Sequence, residues 1–513
     1  MTSVRGAGVV GGGLAPAREA RPIRSHERIH VVGAAGAGAS AAALLAFHRG
    51  AAVSGCDPGG PSPYTPPLEA SGIHLEWGHD PRHVSDAPRP ERLAVTKALT
   101  AVDPNNPELA AARAAGVPVE PWQQLIADAA AGKTLVGVAG THGKSTTAGW
   151  LVHVLVEAGL DPSAFVGALL PAALAGGLPS TARWGGGVPF VVEADEYAGN
   201  FDPYRPDVAV LTSAEWDHPD VFADRAAVIG TFETWIRQAG GTGRDPVLVA
   251  NLGDSGVAEV VARLHDWPGR ILRTTLTAAT TVSSGRGEWL AGTVSSADTT
   301  GTALRLEGSS LAVPVTVRLL LAGRHNASNA LGVAGAALTL GVPPDALATA
   351  LGSFTGVGRR LERKGEGRGV VVYDDYGHHP TAIRETLAAL RQLEPGRRIW
   401  AVYEPLTYHR TAAMLDEFAD VLATADAVAV AEIWASRDPD TTVTSSAALA
   451  EATARRRPGL IAAAPGTVEQ TAEWLSREVR FGDAVLVMGG GKSYRIAEML
   501  MEALGSRTRT GGR

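Results

Sequence analysis

Cysteine and lysine are scarce in this chain of 513 residues, and both scarcities restrict what it can do. Its one cysteine, Cys56, cannot form an internal disulfide, which excludes a disulfide framework and favours a reducing compartment. Only five of the 46 basic residues are lysines, so lysine chemistry is restricted to five positions.

Long apolar runs and an excess of positive charge are also lacking. No stretch is apolar and uncharged for long enough to span a bilayer, so we predict no membrane span. With 46 basic and 53 acidic residues the net charge is −7, which excludes a globally basic surface for nucleic acid. We therefore expect a cytoplasmic protein without membrane or nucleic-acid partners, and the sequence leaves open a monomer or a homodimer.

The first 24 residues weakly resemble a signal peptide, because Arg5 precedes the Gly/Ala-rich run 6–17. That run contains five glycines but only two valines and one leucine, which makes a poor apolar segment. We therefore predict a disordered tail over residues 1–24.

The rest of the chain has the composition of a globular protein, with 45% apolar residues, 19% charged residues and a mean hydropathy of +0.04. At about 150 residues per domain, its length predicts about three domains. Apolar strands alternate with helices in three α/β units. We place these units at residues 25–131, 132–356 and 357–513.

The first unit opens with a predicted strand, Arg28–Gly33, then a glycine turn at 36–38 and a helix of small residues, Ala39–His48. Asp57 follows the second strand. This order is typical of a dinucleotide fold, in which glycines let the backbone approach a phosphate at a helix N-terminus. A NAD site, a UDP-sugar site and a tight turn without function remain equal alternatives.

The second unit carries the most specific motif. The predicted strand Thr134–Ala139 is followed by Gly140–Thr147, which has the sequence GTHGKSTT. In such a P-loop the backbone N–H groups wrap the phosphates, Lys144 supplies a positive charge and the Ser145 hydroxyl binds Mg²⁺. Val138 stands where the strict pattern has glycine, so we interpret the loop as a P-loop variant.

Acidic residues follow two later strands of the same unit, at Glu193–Glu196 and at Glu215–His218. Ligands of open α/β sheets gather at the carboxyl ends of the strands, so these acids indicate a magnesium–ATP site there. The Thr- and Ser-rich stretch 270–318 alternates in polarity and predicts antiparallel strands attached to the parallel core.

Further candidates lie before and within the third unit. Amides at Asn326 and Asn329 could pair with an adenine edge or cap a helix. The adjacent His378 and His379 lack a third ligand at fixed spacing, which argues against zinc, and the aspartates before them suit ribose hydroxyls. A second glycine-rich loop, Gly489–Ser493, lacks the full P-loop spacing, so we do not expect a second ATP site.

These motifs, in this order, resemble those of the Mur ligase family across nearly the whole chain. The resemblance rests on the segments 140–145, 193–196, 217–220, 325–329 and 374–381. It implies a three-domain α/β architecture: a Rossmann-like N-terminal domain, a central P-loop ATPase domain with extra antiparallel strands, and a Rossmann-like C-terminal domain. It also implies an ATP-dependent ligase that uses Mg²⁺ and forms an amide bond through an acyl-phosphate.

The resemblance further implies roles for individual residues. The residues implied to bind ATP are Gly140, Thr141, His142, Gly143, Lys144, Ser145, Thr146, His325, Asn326, Asn329, Arg360 and Asp375. The residues implied to hold Mg²⁺ are Ser145, Glu193 and His218. The residues implied to bind a nucleotide sugar are Gly33, Gly36, Ala37, Gly38, Ser40, Asp57 and His79. The residues implied to act in catalysis are Lys144, His218, His378 and Arg410.

Within the family, segment 408–411 resembles members that join L-alanine to the lactyl carboxylate of UDP-N-acetylmuramate. The chain departs from their usual residues at Leu406, at Lys492 and near Trp122. Glu196-Tyr197 instead resembles members that attach recycled murein tripeptide to the same nucleotide sugar. UDP-N-acetylmuramate is therefore the implied acceptor and L-alanine the expected amine, with the tripeptide as the alternative.

Two functions of other classes stay open. A NAD-dependent oxidoreductase built on the first glycine turn would leave the P-loop unexplained. A non-catalytic nucleotide-binding regulator with a ligase fold would not need the residues at Lys144, Glu193 and His218.

Overall fold

The computed structural model describes residues 10–240, 243, 245–276, 287–435, 438 and 440–505. The chain separates into two compact units, each described below by itself. The first comprises Met1–Thr293, Leu304–Val317 and Ser328–Val357. The second comprises Val294–Ala303, Arg318–Ala327 and Gly358–Arg513.

The first unit begins with a five-stranded parallel sheet in the order β3-β2-β1-β4-β5. Its strands are β1 (Arg28–Val32), β2 (Ala52–Cys56), β3 (His74–Glu76), β4 (Arg92–Val95) and β5 (Val119–Pro121). Its helices are α1 (Ala37–His48), α2 (Pro66–Ala70), α3 (Arg82–Ser85), α4 (Lys97–Val102), α5 (Pro107–Ala115) and α6 (Trp122–Ala129). The strand order reverses beside β1, which places a crevice for ligands at its carboxyl end.

Residues 10–24 pack against this sheet, so the prediction of a disordered tail is wrong for them. Ile23 is buried in the core. The guanidinium of Arg18 forms ion pairs with Glu120 at 2.9 Å and with Asp128 at 2.7 Å. Because Asp128 is fully buried, it requires cationic partners, and Arg18 and Arg92 supply them. Residues 1–9 lie outside the described residues.

The unit continues with a ten-stranded sheet in the order β15-β14-β13-β12-β11-β10-β6-β9-β7-β8. The strands on the β6 side are β6 (Thr134–Ala139), β7 (Ser163–Leu170), β8 (Ser180–Arg183), β9 (Pro189–Ala194) and β10 (Val208–Leu211). The strands that follow are β11 (Val247–Asn251), β12 (Arg270–Thr275), β13 (Glu288–Asp298), β14 (Gly301–Gly308) and β15 (Val315–Leu319). The helices are α7 (Lys144–Glu157), α8 (Ala172–Ala175), α9 (Arg225–Arg237), α10 (Ser255–Arg263), α11 (Arg324–Thr339) and α12 (Pro344–Ser353).

The predicted antiparallel strands in 270–318 are only partly present. Strand β12 pairs in parallel with both β11 and β13, which corrects the prediction for that strand. Strands β13 and β14 are joined by two residues, a connection that only an antiparallel pair allows. Residues 277–286 lie outside the described residues.

The second unit is built on a six-stranded sheet in the order β16-β17-β21-β18-β19-β20. Its strands are β16 (Glu362–Gly367), β17 (Val370–Asp375), β18 (Arg398–Glu404), β19 (Ala427–Ala431), β20 (Ile461–Gly466) and β21 (Asp483–Gly489). Its helices are α13 (Pro380–Leu393), α14 (Tyr408–Ala413), α15 (Leu415–Leu422), α16 (Ser446–Arg456), α17 (Val468–Glu478) and α18 (Tyr494–Ala503). All neighbouring strands pair in parallel except β16 with β17.

The apolar strands of the two larger sheets are buried, as their sequences predict. Strands β6, β17, β19 and β21 are buried along their whole length, as expected for parallel strands covered on both faces. Among the described helices, we find none with the length and hydropathy needed to cross a membrane.

Candidate active site

The loop predicted to bind phosphate, here called the phosphate loop, joins β6 to α7 within the ten-stranded sheet. Two of its residues must be glycine. Gly140 has φ +135° and a Cβ there would lie 2.2 Å from Thr212 Oγ1, while Gly143 has φ +80° at the N-cap of α7. The positive end of the α7 dipole and its free N–H groups therefore face this loop, an arrangement that binds anions.

Contacts with the chain after β10 hold the loop in shape. The Ser213 hydroxyl accepts from the His142 N–H at 2.8 Å. The Thr141 hydroxyl donates to the Glu215 carbonyl at 3.0 Å, and the His142 ring lies 3.2 Å from the Glu215 carboxylate. The predicted loop residues are thus fixed by one neighbouring segment, which preorganises the backbone for a phosphate.

Lys144 begins α7 and faces two acids after β9. Its Nζ donates to Glu196 Oε2 at 2.8 Å and lies 3.6 Å from Asp195 Oδ1. Burial alone would lower the pKa of Lys144, but the charges of Glu196 and Asp195 outweigh it and raise the pKa above its ordinary value. The side chain therefore carries a fixed positive charge beside the loop.

Ser145 and Glu193 form the second pair of the site. The Ser145 hydroxyl donates to Glu193 Oε1 at 2.9 Å, and the Gly167 N–H donates to Glu193 Oε2 at 2.6 Å. Thr146 is buried in the first turn of α7. The Ser145 and Glu193 oxygens are hard donors, the ligand type that Mg²⁺ prefers.

His218 joins the acids that contact Lys144. One ligand atom each from Asp195, Glu196 and His218 lie within 4.8 Å of one another. His218 adopts φ +57°, a conformation that a residue with a Cβ rarely takes, and its ring packs edge-on against Tyr197 at 4.9 Å. This group of three can hold a divalent cation, although its members are not the predicted set of Ser145, Glu193 and His218.

Asp195 and Glu196 are therefore site residues that the assigned roles missed. The run Glu193–Glu196 predicts magnesium ligands, but only Glu193 is among the implied ones. The end of the strand was the available signal. Asp195 and Glu196 follow the end of β9, at the edge of an open α/β sheet where ligands gather.

The residues predicted for the adenine site divide between the two units. In the first unit, Asn329 lies against the phosphate loop, since a Cβ on Gly143 would be 2.5 Å from its Oδ1. In the second, the amide of Asn326 donates to the Ala322 carbonyl at 2.7 Å. That bond ties Asn326 to the segment before α11 and is not a capping bond, since a capping side chain accepts from a backbone N–H. His325 lies 3.6 Å from Glu385.

The predicted nucleotide-sugar loop follows β1. Gly33 has φ +84° and its N–H donates to the Cys56 carbonyl at 2.9 Å. Gly36 is the N-cap of α1. The Asp57 carboxylate accepts from the N–H groups of Ala35 at 3.1 Å and Gly59 at 2.8 Å. Asp57 thus shapes the loop.

Two residues of this loop differ from their predicted role in substrate binding. A Cβ on Gly38 would lie 2.2 Å from the ring of Trp122, so the missing side chain makes room for an indole rather than for a phosphate. Ser40 is buried and its hydroxyl donates to the Ala37 carbonyl at 3.0 Å. Both positions therefore support the packing of α1. His79 faces Glu108, with 3.2 Å between its Nδ1 and Oε2.

In the second unit, the predicted residues meet at the carboxyl end of β17. Asp375 accepts from the N–H groups of Leu361 and Gly377, each at 2.7 Å, so its carboxylate holds the backbone. One N–H to each oxygen leaves further acceptor positions on the carboxylate, so the ribose role of Asp375 stays a prediction. The Arg360 guanidinium lies over the Tyr376 ring at 4.8 Å, which leaves it facing this end of the sheet.

Arg359 precedes Arg360, which was the predicted site residue, and makes more polar contacts with the loops at this end of the sheet. It forms an ion pair with Asp374 at 3.1 Å and donates to the Gly489 carbonyl and the Ser493 hydroxyl, each at 2.8 Å. It thereby fixes the glycine-rich loop after β21. Burial raises the pKa of Asp374 to about 6, and Arg359 opposes that rise.

The remaining predicted residues lie on either side of β18. The His378 Nδ1 is 2.9 Å from the Tyr376 carbonyl, and His379 caps α13. Arg410 lies in α14 and is buried. Burial raises the pKa of Glu404, which ends β18. His378 and Arg410 thus belong to the same end of one sheet.

Comparison with known proteins covers most of the chain. The Mur ligase family catalytic domain matches residues 28–134, the Mur ligase middle domain residues 138–337, and the Mur ligase glutamate ligase domain residues 359–491.

Several curated relatives match nearly end to end. The UDP-N-acetylmuramate–L-alanine ligase of Kineococcus radiotolerans is 38% identical over 94% of this chain and 97% of its own length. That of Roseiflexus castenholzii is 34% identical over 93% of this chain and 97% of its own.

Solved structures share the fold. The UDP-N-acetylmuramate–alanine ligase of Thermotoga maritima superposes with a TM-score of 0.73 at 23% identity, over 93% of this chain and 99% of that one. A murein peptide ligase of Psychrobacter arcticus superposes with a TM-score of 0.68 at 25% identity, over 93% of this chain and 99% of that one. The chain has the three-domain Mur ligase architecture and belongs to the Mur ligase family of ATP-dependent, amide-bond-forming ligases.

Proposed function

We propose that this enzyme joins L-alanine to the lactyl carboxylate of UDP-N-acetylmuramate, with cleavage of ATP to ADP and phosphate, in peptidoglycan precursor synthesis. The observation that carries the proposal is the identity of 34–38% with curated L-alanine ligases over nearly the full chain. Two hydrogen-bonded pairs of the phosphate loop, Lys144 with Glu196 and Ser145 with Glu193, support it as a working site.

The reaction starts with attack of the lactyl carboxylate on the γ-phosphate of ATP, which forms an acyl-phosphate. We assign to Lys144 the neutralisation of charge on the transferring phosphoryl group. The loop N–H groups at 140–146 are assigned to the same phosphates. Arg360 is assigned to the phosphates, and His325, Asn326, Asn329 and Asp375 to the nucleoside.

Mg²⁺ fits the donor set of this site. The hydroxyl of Ser145 and the carboxylate of Glu193 lie 2.9 Å apart, and the group of Asp195, Glu196 and His218 supplies two further carboxylates and an imidazole. We assign Ser145, Glu193 and His218 to Mg²⁺ and add Asp195 and Glu196 as candidates. The metal would supply positive charge for the phosphates.

The acceptor and the amine need separate sites. The loop of Gly33, Gly36, Ala37 and Asp57 is assigned to the nucleotide sugar, and His79 to the same substrate. His378 and Arg410 are assigned to the lactyl carboxylate and the incoming amino acid. A general base must take a proton from the ammonium of L-alanine, and His218 and His378 are the candidates.

The second candidate function is attachment of murein tripeptide to the same acceptor. Glu196 and Tyr197 favour it, since they resemble the pair in the tripeptide-attaching members, and the murein peptide ligase structure supports it at the level of fold. Leu406 is a departure from the L-alanine ligases, which usually carry histidine there. Leu406 lies beside Trp434, with which it forms an isolated β-bridge. Both functions use one acceptor and differ in the amine.

Phosphate release with magnesium–ATP and UDP-N-acetylmuramate tests the proposal, with L-alanine, glycine, L-serine and murein tripeptide compared as amines. We expect release to be fastest with L-alanine. Release with the tripeptide alone would assign the enzyme to recycling. Absence of release with every amine would favour a non-catalytic regulator, which nucleotide binding without turnover would support.

Consumption of ATP and of a nucleotide sugar also agrees with the cytoplasmic location expected from the single cysteine. A monomer or homodimer remains the prediction for the oligomeric state.

A further inference from the structure

A cluster of metal-binding side chains lies in the N-terminal sheet, apart from the phosphate loop. One ligand atom each from His30, Cys56, His83 and Glu108 lie within 4.8 Å of one another. They come from four elements that are distant in sequence: β1, β2, α3 and α5. We call this set the His-Cys-Glu cluster. Its mixture of sulfur, nitrogen and oxygen differs from the oxygen-rich set near Lys144.

The distances within the cluster suit ligands of one small ion. Cys56 Sγ lies 3.1 Å from each carboxylate oxygen of Glu108, and His83 Nδ1 lies 2.5 Å from Glu108 Oε1. His30 Nε2 is 3.9 Å from the same oxygen. Tetrahedral zinc ligands lie about 3.2–3.7 Å apart, because the bonds are about 2.0–2.3 Å long. Shifts of a few tenths of an ångström to about one ångström would therefore bring the atoms into place.

His30 gives an independent indication of a missing ligand. Its side chain is 3% exposed, and within the described part of the chain its Nε2 has no hydrogen-bond partner. The other ring nitrogen, Nδ1, lies 2.9 Å from the Ser54 hydroxyl. If Nδ1 carries the proton and donates it to Ser54, the lone pair of Nε2 points towards the cluster. Metal-bound histidines are commonly oriented in this way.

Burial and access also fit a metal site. Cys56 and Glu108 are fully buried, so a charged thiolate or carboxylate there requires a cation or hydrogen-bond donors. A surface cleft lined by residues 76–80, 82, 83 and 86 reaches His79 and His83, which gives an ion a path from solvent.

We propose that the His-Cys-Glu cluster binds one Zn²⁺ through Cys56 Sγ, His30 Nε2, His83 Nδ1 and the Glu108 carboxylate. Thiolate and imidazole ligands select zinc over magnesium. His79, whose Nδ1 lies 3.5 Å from Cys56 Sγ, is the neighbour that orients the carboxylate. Binding converts the Cys56 thiol to a thiolate and releases its proton to solvent.

Four protein ligands make this a closed, structural site. The ion would join α3 and α5 to β1 and β2. The domain assigned to the nucleotide sugar would then be stabilised by zinc, whichever amine the enzyme uses.

The opposing interpretation is a hydrogen-bonded network without metal. Burial and the adjacent Glu108 raise the pKa of the Cys56 thiol, so without a cation it stays protonated and donates to the carboxylate. The Asp80 N–H also donates to Glu108, at 3.2 Å. This network leaves His30 Nε2 without a partner.

Cobalt substitution separates the two interpretations. Because Cys56 is the single cysteine of the chain, a thiolate-to-Co²⁺ charge-transfer band can arise only at this cluster. We expect one equivalent of Co²⁺ to give that band in the chelator-treated full-length protein, in the presence of excess Mg²⁺. One equivalent of Zn²⁺ should abolish it. Cobalt binding without the band would overturn the proposal.

Variants add a second measurement. In Cys56→Ser and His30→Gln we expect zinc affinity to fall at least tenfold, while the control His153→Gln, a histidine bonded to Ser353, retains it. The melting temperature of the unaltered protein should rise with Zn²⁺, by mass action. A zinc content below one-tenth of an equivalent after exposure to Zn²⁺ would also overturn the proposal, even if both variants failed to fold.

Discussion

Lys144 Nζ donates a hydrogen bond to Glu196 Oε2 at 2.8 Å, so the lysine of the phosphate loop is held by an acid that follows the neighbouring strand. Both side chains are largely buried. The loop therefore presents a charged lysine in a fixed position, and in the proposed mechanism an incoming phosphate competes with Glu196 for it. Preorganised charge of this kind is a main source of phosphoryl-transfer catalysis.

Replacement of this lysine should remove catalysis and leave nucleotide-sugar binding nearly intact. In Lys144→Met we expect ADP formation to fall by about 10²–10³ or more, because the charge beside the transferring phosphoryl group is lost. The measurement is ADP release with saturating substrates. Lys133→Met is the matched control, since Lys133 donates to backbone carbonyls of Gly185 and Gly187. Unchanged turnover in Lys144→Met would remove the loop from the mechanism.

The pairing of Ser145 with Glu193 predicts a dependence on magnesium concentration. In Ser145→Ala and Glu193→Gln the Mg²⁺ concentration for half-maximal phosphate release should rise about tenfold or more, because a ligand or its orienting partner is lost. Ser309→Ala, at an exposed hydroxyl bonded to Trp289, is the control. If the magnesium titrations of Ser145→Ala and Glu193→Gln overlay that of the unaltered enzyme, as that of the control should, the metal is held elsewhere.

The contact of Gly38 with Trp122 predicts a loss of stability. A methyl group in Gly38→Ala would collide with the indole, so we expect the protein to lose about 1–3 kcal/mol. Trp122→Ala combined with Gly38→Ala should recover part of the loss. Gly230→Ala, in a helix with open space at that position, should be neutral or stabilising. Thermal melts check the series. A stable Gly38→Ala protein that merely binds nucleotide sugar poorly would return Gly38 to the substrate site.

The raised pKa of Asp374 predicts a pH dependence of stability. Its pKa is about 6 in the folded chain and 3.8 ordinarily, so the folded protein binds a proton that the unfolded chain has released. The contribution of Asp374 to stability is then highest below pH 4, falls as the pH rises from about 4 to 6, and stays lower above. The shift corresponds to about 3 kcal/mol.

Asp374→Asn removes this titration. Relative to the variant, the unaltered protein should lose melting temperature between pH 4 and pH 7. Asp345→Asn, at an exposed carboxylate of α12, is the control. If the difference in melting temperature between the unaltered protein and Asp374→Asn stayed constant from pH 4 to pH 7, Asp374 would not titrate in that range.

Much of the framework was predictable because apolar periodicity is local. The predicted strand Thr134–Ala139 has those bounds in the structure. The strand–loop–helix order at Gly140–Thr147 also followed from residue types alone. The fold class is confirmed for the same reason, since three runs of strands and helices each predict their own sheet.

Residues whose role depends on distant partners were not predictable in this way. Residues 10–24 look like a disordered tail until Arg18 meets two carboxylates more than 100 positions away. Strand β12 looked antiparallel because alternation does not specify the direction of pairing. The bond from the Leu361 N–H to Asp375 joins residues 14 positions apart, and no local pattern relates them.

The sequence by itself determined which elements form and which motifs they carry, since hydrophobic period and glycine positions act over a few residues. Only the tertiary structure decided which side chains meet. It placed Asp195 and Glu196 beside Lys144, closed Gly38 against Trp122, and gathered His30, Cys56, His83 and Glu108 from four elements. These contacts depend on strand order and helix packing, which bring together residues that no local pattern relates.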